Sequence, residues 1–370
     1  MNLPPFKLER YFAQYEFTTD FLLCSSDCEA MTIADLLALE EGAAERFQRV
    51  WLGYTESQGS VALRKEITTL YETIQPDEIL VHSGAEEAIF LFMLAVLQPG
   101  DHVIVHSPCY QSLAEVASGI GCEVTPWSAR EENGWALDLD ELRHFIKPNT
   151  KVVILNTPHN PTGYLMSPAD FNALNRIIRE ENLLLFSDEV YRELEYDPST
   201  RLPAACDLGE YAVSLGVTSK TYGLAGLRIG WIATKNKTIY EKMISLKDYT
   251  TICNSAPAEF LAEVAMRNRQ KLIARNLDII RNNLAVMDDF FANHTDLFSW
   301  VRPRAGSMAF PRLLRGNVED FCDRLVKNAG VLLLPGSVYD DRENHFRLGL
   351  GRKNLPQAID RLEKHLNTLT

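Results

Sequence analysis

From about residue 78 the chain alternates short runs of Val, Ile and Leu with amphipathic helical stretches, and this alternation limits the fold more than any other feature. "EILVHSG" runs into "AEEAIFLFMLAVL", "DHVIVHSP" precedes "YQSLAEVASGIG", and "CEVTPW" precedes "DLDELRHFI". "KVVILNTP" then leads to "PADFNALNRIIREE", and "LLLFSDEVY" to "YAVSLGV". Runs so uniformly apolar have no side to give to solvent, so they suit a mainly parallel sheet with helices on both faces. In such sheets a ligand lies beyond the carboxyl ends of the strands, and functional side chains are expected just after the apolar runs. A helical region over 256–294 joins this part to a smaller α+β module. That module reads strand, strand, helix, strand, strand, helix in "FSWVRP", "SMAFPRL", "VEDFCDRLVKNA", "GVLLLPG", "HFRLGLG" and "NLPQAIDRLEKHL". The expected division is an N-terminal segment (1–40) that joins the small domain and closes the site, a large domain (41–275) and a small domain (276–370).

Composition excludes several classes. The 37 basic and 50 acidic residues give a net charge of −13, which argues against a nucleic-acid or anionic-membrane surface as the main partner. The longest apolar run, "AIFLFMLAVL", is too short to span a bilayer and fits a buried helix. The seven cysteines lie scattered without metal-ligand spacing, so no metal site is expected and reduced thiols in the cytoplasm are. The start, "MNLPPFKLERYF", lacks a signal-peptide pattern.

Polar residues recur where the strands end. After "ILVHS" come Gly84, Ala85 and Glu86, where free helix N–H groups make an anion cradle or, equally, a plain helix start. In "TPHNPTG", Pro158, Pro161 and Gly163 impose a rigid turn that presents Asn160, either for function or as a structural Asx turn. "LLLFS" ends in "DEVY", where Asp188 closes an apolar strand at a cost that only a cation would offset, with Tyr191 three residues on and facing the same way on a helical turn. "SLGVTSKTYGLAGLRIGW" then places Lys220 and Arg228 in an otherwise apolar, hydroxylic or glycine run. A lysine locked in a Schiff base and an arginine facing a phosphate would each escape the cost of burial.

The combination of "HNPTG", "SDEVY" and "SKTYGLAGLRIGW" resembles the class I/II pyridoxal-phosphate aminotransferases, from about Leu52 to the C-terminus. The resemblance implies a fold-type-I architecture: a mainly parallel seven-stranded sheet covered on both faces, plus a smaller α+β domain. It implies pyridoxal 5′-phosphate as cofactor, with Lys220 as its Schiff-base lysine and later the general base. Asp188 would keep the pyridine nitrogen protonated, while Asn160 and Tyr191 would hydrogen-bond the ring's phenolic oxygen. Tyr110 would stack on the ring. The phosphate would rest on the backbone of Gly84, Ala85 and Glu86, with Ser219 and Arg228 beside it. Tyr54, otherwise a surface tyrosine, matches one that reaches the neighbouring subunit's phosphate, which implies a homodimer with shared active sites. Arg347, otherwise a strand-end arginine in a surface ion pair, matches the clamp on the substrate α-carboxylate. The implied substrates are an L-amino acid and a 2-oxo acid.

The sequence also departs from the family pattern. Val217 stands three residues before the lysine, where a hydroxyl is frequent, and the Glu86 and Glu87 carboxylates must point away from the phosphate. The stretch "FLLCSSDCEAMTIADLL" replaces a Gly-x-Pro segment, and Leu8, Phe12 and Tyr15 before it have the spacing of a helix that closes the site. The nearby acids Glu9, Glu16, Asp20, Asp27 and Glu29 read as a solvated face, the alternative being contact with a cationic side chain. Arg304, Arg312, Arg342 and Arg352 read as solvated. Transamination is the expected reaction; oxidase or hydroxylase, cyclase or C–S lyase chemistry on an arginine-like amino acid is the alternative on this scaffold.

Overall fold

The computed structural model describes residues 1–367. The strands of the large domain are β1 (Ile79–His82), β2 (His102–Ser107), β3 (Glu123–Ser128), β4 (Thr150–Asn156), β5 (Leu184–Asp188), β6 (Ala212–Val217) and β7 (Gly230–Ala233). They form one seven-stranded sheet in the order β1-β7-β6-β5-β4-β2-β3. β7 runs antiparallel to both of its neighbours and every other pairing is parallel. The carboxyl ends of β1, β2, β4, β5 and β6 therefore share one edge with the amino end of β7, which brings Lys220 and Arg228 to the same rim. β1, β6 and β7 are buried along their whole length, as expected of strands covered on both faces. β3 closes one edge, is half-exposed and carries Pro126, a residue that a central strand would not tolerate.

Two helices, Ala256–Arg267 and Arg269–Asn293, lead into the small domain. The second runs unbroken through residue 276, so the expected division at 275 lies inside a helix that serves both parts. β8 (Phe298–Ser299) pairs with β10 (Arg312–Leu313), and β11 (Leu334–Pro335), β12 (Phe346–Gly349) and β9 (Met308–Ala309) make a three-stranded sheet. "SMAFPRL", read as one strand, is split between these two sheets, with Pro311 at the break, where the missing N–H interrupts pairing.

The N-terminal segment lies along the small domain. Phe21 bridges Val331, and Leu23 accepts a hydrogen bond from Gly349 N. Residues 25–27 pass so close to β12 that a Cβ at Gly349 would stand 2.0 Å from Ser25 O, and one at Gly351 2.5 Å from Asp27 O. This passage carries the segment over the carboxyl edge of the large sheet, where the helix Lys7–Tyr15 lies. No helix of the described residues is long and apolar enough to cross a membrane, and the seven cysteines form no disulfide.

Candidate active site

A cavity of about 390 Å³ opens at that edge, between the strand ends, the N-terminal helix and β12. Asp188, Tyr191, Asn160, Lys220, Ser219, Arg228, Ala85, Glu86, Tyr110 and Arg347 all line it. Gly84 adjoins them at the start of the helix Gly84–Val96. Tyr54 is absent from the wall and stands 85% exposed elsewhere on the surface.

Asp188 ends β5 nearly out of reach of solvent, and its carboxylate accepts one backbone hydrogen bond, from Val190 N at 3.2 Å. No side-chain cation pairs with it among the described residues. Burial pushes its pKa up to about 7, with Lys220 and the Val190 N–H pulling the other way. The chain from Glu189 to Arg192 turns without forming a helix, yet it brings Tyr191 to the same wall. The Tyr191 hydroxyl is buried and makes no hydrogen bond of good geometry; Ser26 lies near enough to oppose the larger upward push of burial on its pKa. Lys220 Nζ donates to Ser26 Oγ at 3.0 Å. Desolvation draws its ammonium below the usual lysine range, helped by Arg347 and opposed by Asp27 and Asp188. A buried carboxylate with no cation, a buried phenol with no partner and a desolvated amine on one cavity wall are polar groups waiting for a ligand.

The other end of the cavity suits an anion. Gly84 has φ +84°, and a Cβ there would fall 2.4 Å from Arg228 Nη2, so only glycine lets the guanidinium close over the helix start. No side chain caps that helix, which leaves its first-turn N–H groups free for a ligand. Arg228, itself left-handed at φ 52°, points Nη1 toward Ser219 Oγ at 3.5 Å. Val217 lines the same region without a hydroxyl, and the Thr218 hydroxyl is spent on the Ile229 carbonyl at 3.0 Å. Of the two acids after the cradle, Glu87 turns away to Ser83 N, Thr250 and Thr251. Glu86 departs from the expectation: it lines the cavity, where Ser112 Oγ donates to it at 3.1 Å and burial raises its pKa. Tyr110 is clamped from outside by Phe6, ring centroids 5.1 Å apart. Together these residues fit a flat ring bearing a protonated nitrogen, a hydroxyl, an aldehyde and a phosphate, which is the form of pyridoxal phosphate.

Arg347 on β12 is 2% exposed, so a surface ion pair is not its role. Its Nε donates to Cys24 O at 2.9 Å, its Nη1 to Asn160 Oδ1 at 3.4 Å and to the Tyr339 hydroxyl. Leu8, Glu9, Phe12 and Glu16 of the N-terminal segment form the opposite wall with Asp27. The reading of these acids as a solvated face thus divides. Asp20 and Glu29 are outside the cavity, whereas Glu9, Glu16 and Asp27 face it, because the segment folds over the sheet edge. Arg352, read as solvated, holds Asp27 through both carboxylate oxygens at 2.9 Å, and Arg312 pairs with Glu131 at 3.0 Å. Glu9 and Glu16 have no ion pair among the described residues, and burial with Glu9 and Asp27 nearby raises the Glu16 pKa. Sequence reasoning missed Ser26 and Tyr339, which are polar contacts made across nearly 200 residues of chain.

Comparison with known proteins agrees with this geometry. The family profile for aminotransferase class I and II matches residues 19–362. Capreomycidine synthase of Streptomyces vinaceus is 30% identical over 371 aligned residues, 99% of this chain and 95% of that protein. A PLP-dependent aminotransferase of Streptococcus suis superposes with a TM-score of 0.94 at 32% identity, covering 100% of this chain and 99% of that one. The PLP-dependent cyclase OrfR superposes at 0.92 with 29% identity and the same coverage.

Proposed function

Since the chain belongs to the class I and II aminotransferases and is a pyridoxal-phosphate-dependent aminotransferase acting on an amino acid and a 2-oxo acid, we propose how its own residues do this work. Bound pyridoxal phosphate supplies an electron sink for the bond broken at the substrate Cα. Lys220 would hold the cofactor aldehyde and serve as the base for the substrate Cα proton, its desolvated amine giving up a proton more readily than an exposed lysine. Asp188 would pair with the ring nitrogen, the cation that its burial lacks. Tyr191 and Asn160 would hydrogen-bond the ring oxygen, and Tyr110 would cover the ring face. Ser219, Arg228 and the backbone of Gly84, Ala85 and Glu86 would hold the phosphate. Arg347 would bind the substrate carboxylate. The observation that carries this reading is the meeting on one cavity wall of Asp188 without a paired cation, Tyr191 without a hydrogen bond, and a desolvated Lys220 whose hydrogen bond goes to Ser26. Borohydride reduction of the yellow holoenzyme, followed by peptide mapping, should place the reduced cofactor on Lys220, and Lys220→Ala should abolish trapping. A trapped adduct elsewhere refutes the assignment.

Exposure supports a homodimer. Trp51, Leu52, Tyr54 and Tyr249 are each at least 77% exposed, and Ile252 is half-exposed; an apolar surface of this kind marks an interface. A homodimer covers it and carries Tyr54 toward the partner's phosphate site. Seven free thiols fit a cytoplasmic enzyme.

The acids of the N-terminal wall favour a substrate with a cationic side chain. Glu9 and Glu16 face the cavity with no ion pair among the described residues, so an aspartate side chain meets repulsion there and a guanidinium or ammonium meets attraction. The same wall supports a second reading, cyclisation of a basic amino acid, which the likeness to the cyclase OrfR favours. Incubating holoenzyme with a panel of amino acids and no acceptor separates the two. Accumulation of the pyridoxamine form, reversed by a 2-oxo acid, supports transamination; a cyclic product formed without an acceptor supports the second.

A further inference from the structure

Tyr339 sits at the end of a short 3-10 turn (Gly336–Tyr339) and is 6% exposed. Its ring meets Phe310 edge-on, centroids 5.9 Å apart, and the Arg347 guanidinium carbon lies 5.8 Å from its centroid. Among the described residues its hydroxyl hydrogen-bonds two groups, Asn160 Oδ1 at 3.1 Å and Arg347 Nη1. The direction of these bonds follows from what each group can do. Arginine has no acceptor, so Nη1 donates to the phenol oxygen, and the phenol's own proton then goes to Asn160. Burial holds that phenol neutral by raising its pKa, against the pull of Arg347. Asn160 must therefore present its carbonyl oxygen to both Tyr339 and Arg347, which fixes the amide orientation irrespective of how O and N are told apart. Its backbone N–H is separately pinned to Asn156 Oδ1 at 2.7 Å. The amide's Nδ2 makes no hydrogen bond among the described residues and is left for the cavity that Asn160 lines.

We propose that Tyr339 is a positioning residue that locks the Asn160 amide with Nδ2 toward the cofactor's ring oxygen and links it to the carboxylate-binding Arg347. This rests on the cofactor orientation set out above. Without the phenol, the only remaining contact that selects this orientation is the 3.4 Å one from Arg347, and the amide is held less firmly. Arg347, Tyr339 and Asn160 are thereby joined by two hydrogen bonds, and a third, from Nδ2, would reach the ring oxygen.

The test is Tyr339→Phe, which keeps the ring against Phe310 and Arg347 and removes only the hydroxyl. A donor to the ring oxygen weakens its hold on the proton of the Lys220-linked nitrogen, so losing that donor raises the pH at which the holoenzyme's visible band changes. The expected rise is about 0.5 pH unit or more, with KM for the 2-oxo acid raised roughly three- to tenfold and kcat less affected. Asn160→Ala should produce the larger rise, and Tyr339→Phe in that background should add nothing to it. Thermal melting of all three variants checks that they fold. An unshifted band in Tyr339→Phe, or an equal shift with Asn160 already removed, overturns the proposal. Failure of borohydride trapping at Lys220 would instead overturn the underlying cofactor assignment.

Discussion

Asp188 and Glu189 are consecutive, both buried, and point to opposite sides of the large sheet. Glu189 faces back, where Ala205 N and Ser214 Oγ donate to one oxygen at 2.8 and 2.9 Å and Arg192 stands 3.9 Å from the other. Its neighbours continue the pattern. Glu193 accepts from Tyr222 at 3.0 Å and lies within 3.8 Å of Arg201 and Arg269, and Glu195 pairs with Arg201 at 2.8 Å. Asp188 faces forward and has one backbone hydrogen bond. Burial raises the pKa of both acids, so burial does not separate structural from chemical roles. What separates them is whether the protein itself supplies the partner. Behind the sheet the charges are answered within the chain; in front, the demand is left for a ligand to meet.

The largest expected effect comes from exchanging the two roles. Asp188→Asn should cost on the order of 10³-fold in kcat/KM while leaving the fold intact. Glu189→Gln should leave kcat/KM within a few-fold and lower stability by about 1–3 kcal/mol, since it leaves Arg192 short of a counter-charge. Steady-state kinetics and urea unfolding of both variants measure this. Equal losses of activity would erase the distinction.

A pH series on the cofactor-free protein sharpens it. The Asp188 pKa is raised from 3.8 to about 7 in the folded state. As pH climbs between those values the unfolded chain loses this proton first, so it binds fewer protons than the native state and stability falls. Above about pH 7 the penalty is complete. Cofactor-free Asp188→Asn should therefore match the parent near pH 4 and exceed it by on the order of 3 kcal/mol at pH 8. Pyridoxal phosphate added to the parent should cancel the deficit, because the ring nitrogen supplies the missing cation. A stability difference independent of pH would show that Asp188 is already paired.

The front of the cavity was legible in sequence where strand ends put it. Lys220, Asp188 and Asn160 each follow an apolar run, and parallel strands gather such positions on one edge whatever lies between them, whereas Arg228 reaches that edge at the amino end of the antiparallel β7. Tyr191 came with Asp188, although through a turn and not a helix. Tyr339 was not legible, since it meets Asn160 across 179 residues and sits in a short turn without periodicity. The division of the N-terminal acids was hidden for the same reason: which of them face inward depends on how the segment crosses the glycines of β12, a matter of tertiary contact. Tyr54 gave the opposite difficulty, because it stands exposed and away from the cavity, where a single chain offers its expected role no contact.

Glu16 extends the comparison to substrate, as a charge in front of the sheet that the chain leaves unanswered. Glu16→Gln should raise KM for arginine or lysine roughly three- to tenfold and leave KM for alanine unchanged. Asp27→Asn should be less selective, because Arg352 already neutralises that carboxylate and would be left uncompensated. A panel of amino-acid donors measured on each variant tests this, and equal changes for basic and neutral donors would remove the cationic preference.

The smallest effect tests whether the front can be improved. Strand β6 carries a hydroxyl at Ser214, spent on Glu189 behind the sheet, and none at Val217, which lines the cavity near the phosphate cradle. Val217→Thr adds a donor of almost the same shape. If the phosphate is within its reach, cofactor affinity should tighten about three- to tenfold, the worth of one hydrogen bond to a charged group shared with Ser219 and Arg228. If the new hydroxyl instead turns to a backbone carbonyl, as Thr218 does, affinity stays as it is, and melting of the cofactor-free form shows the gain or loss on its own. Titration of the visible band against added pyridoxal phosphate separates the two outcomes. Tightening without a change in cofactor-free stability means that a demand in front of the sheet, unlike one behind it, is met only when the ligand arrives.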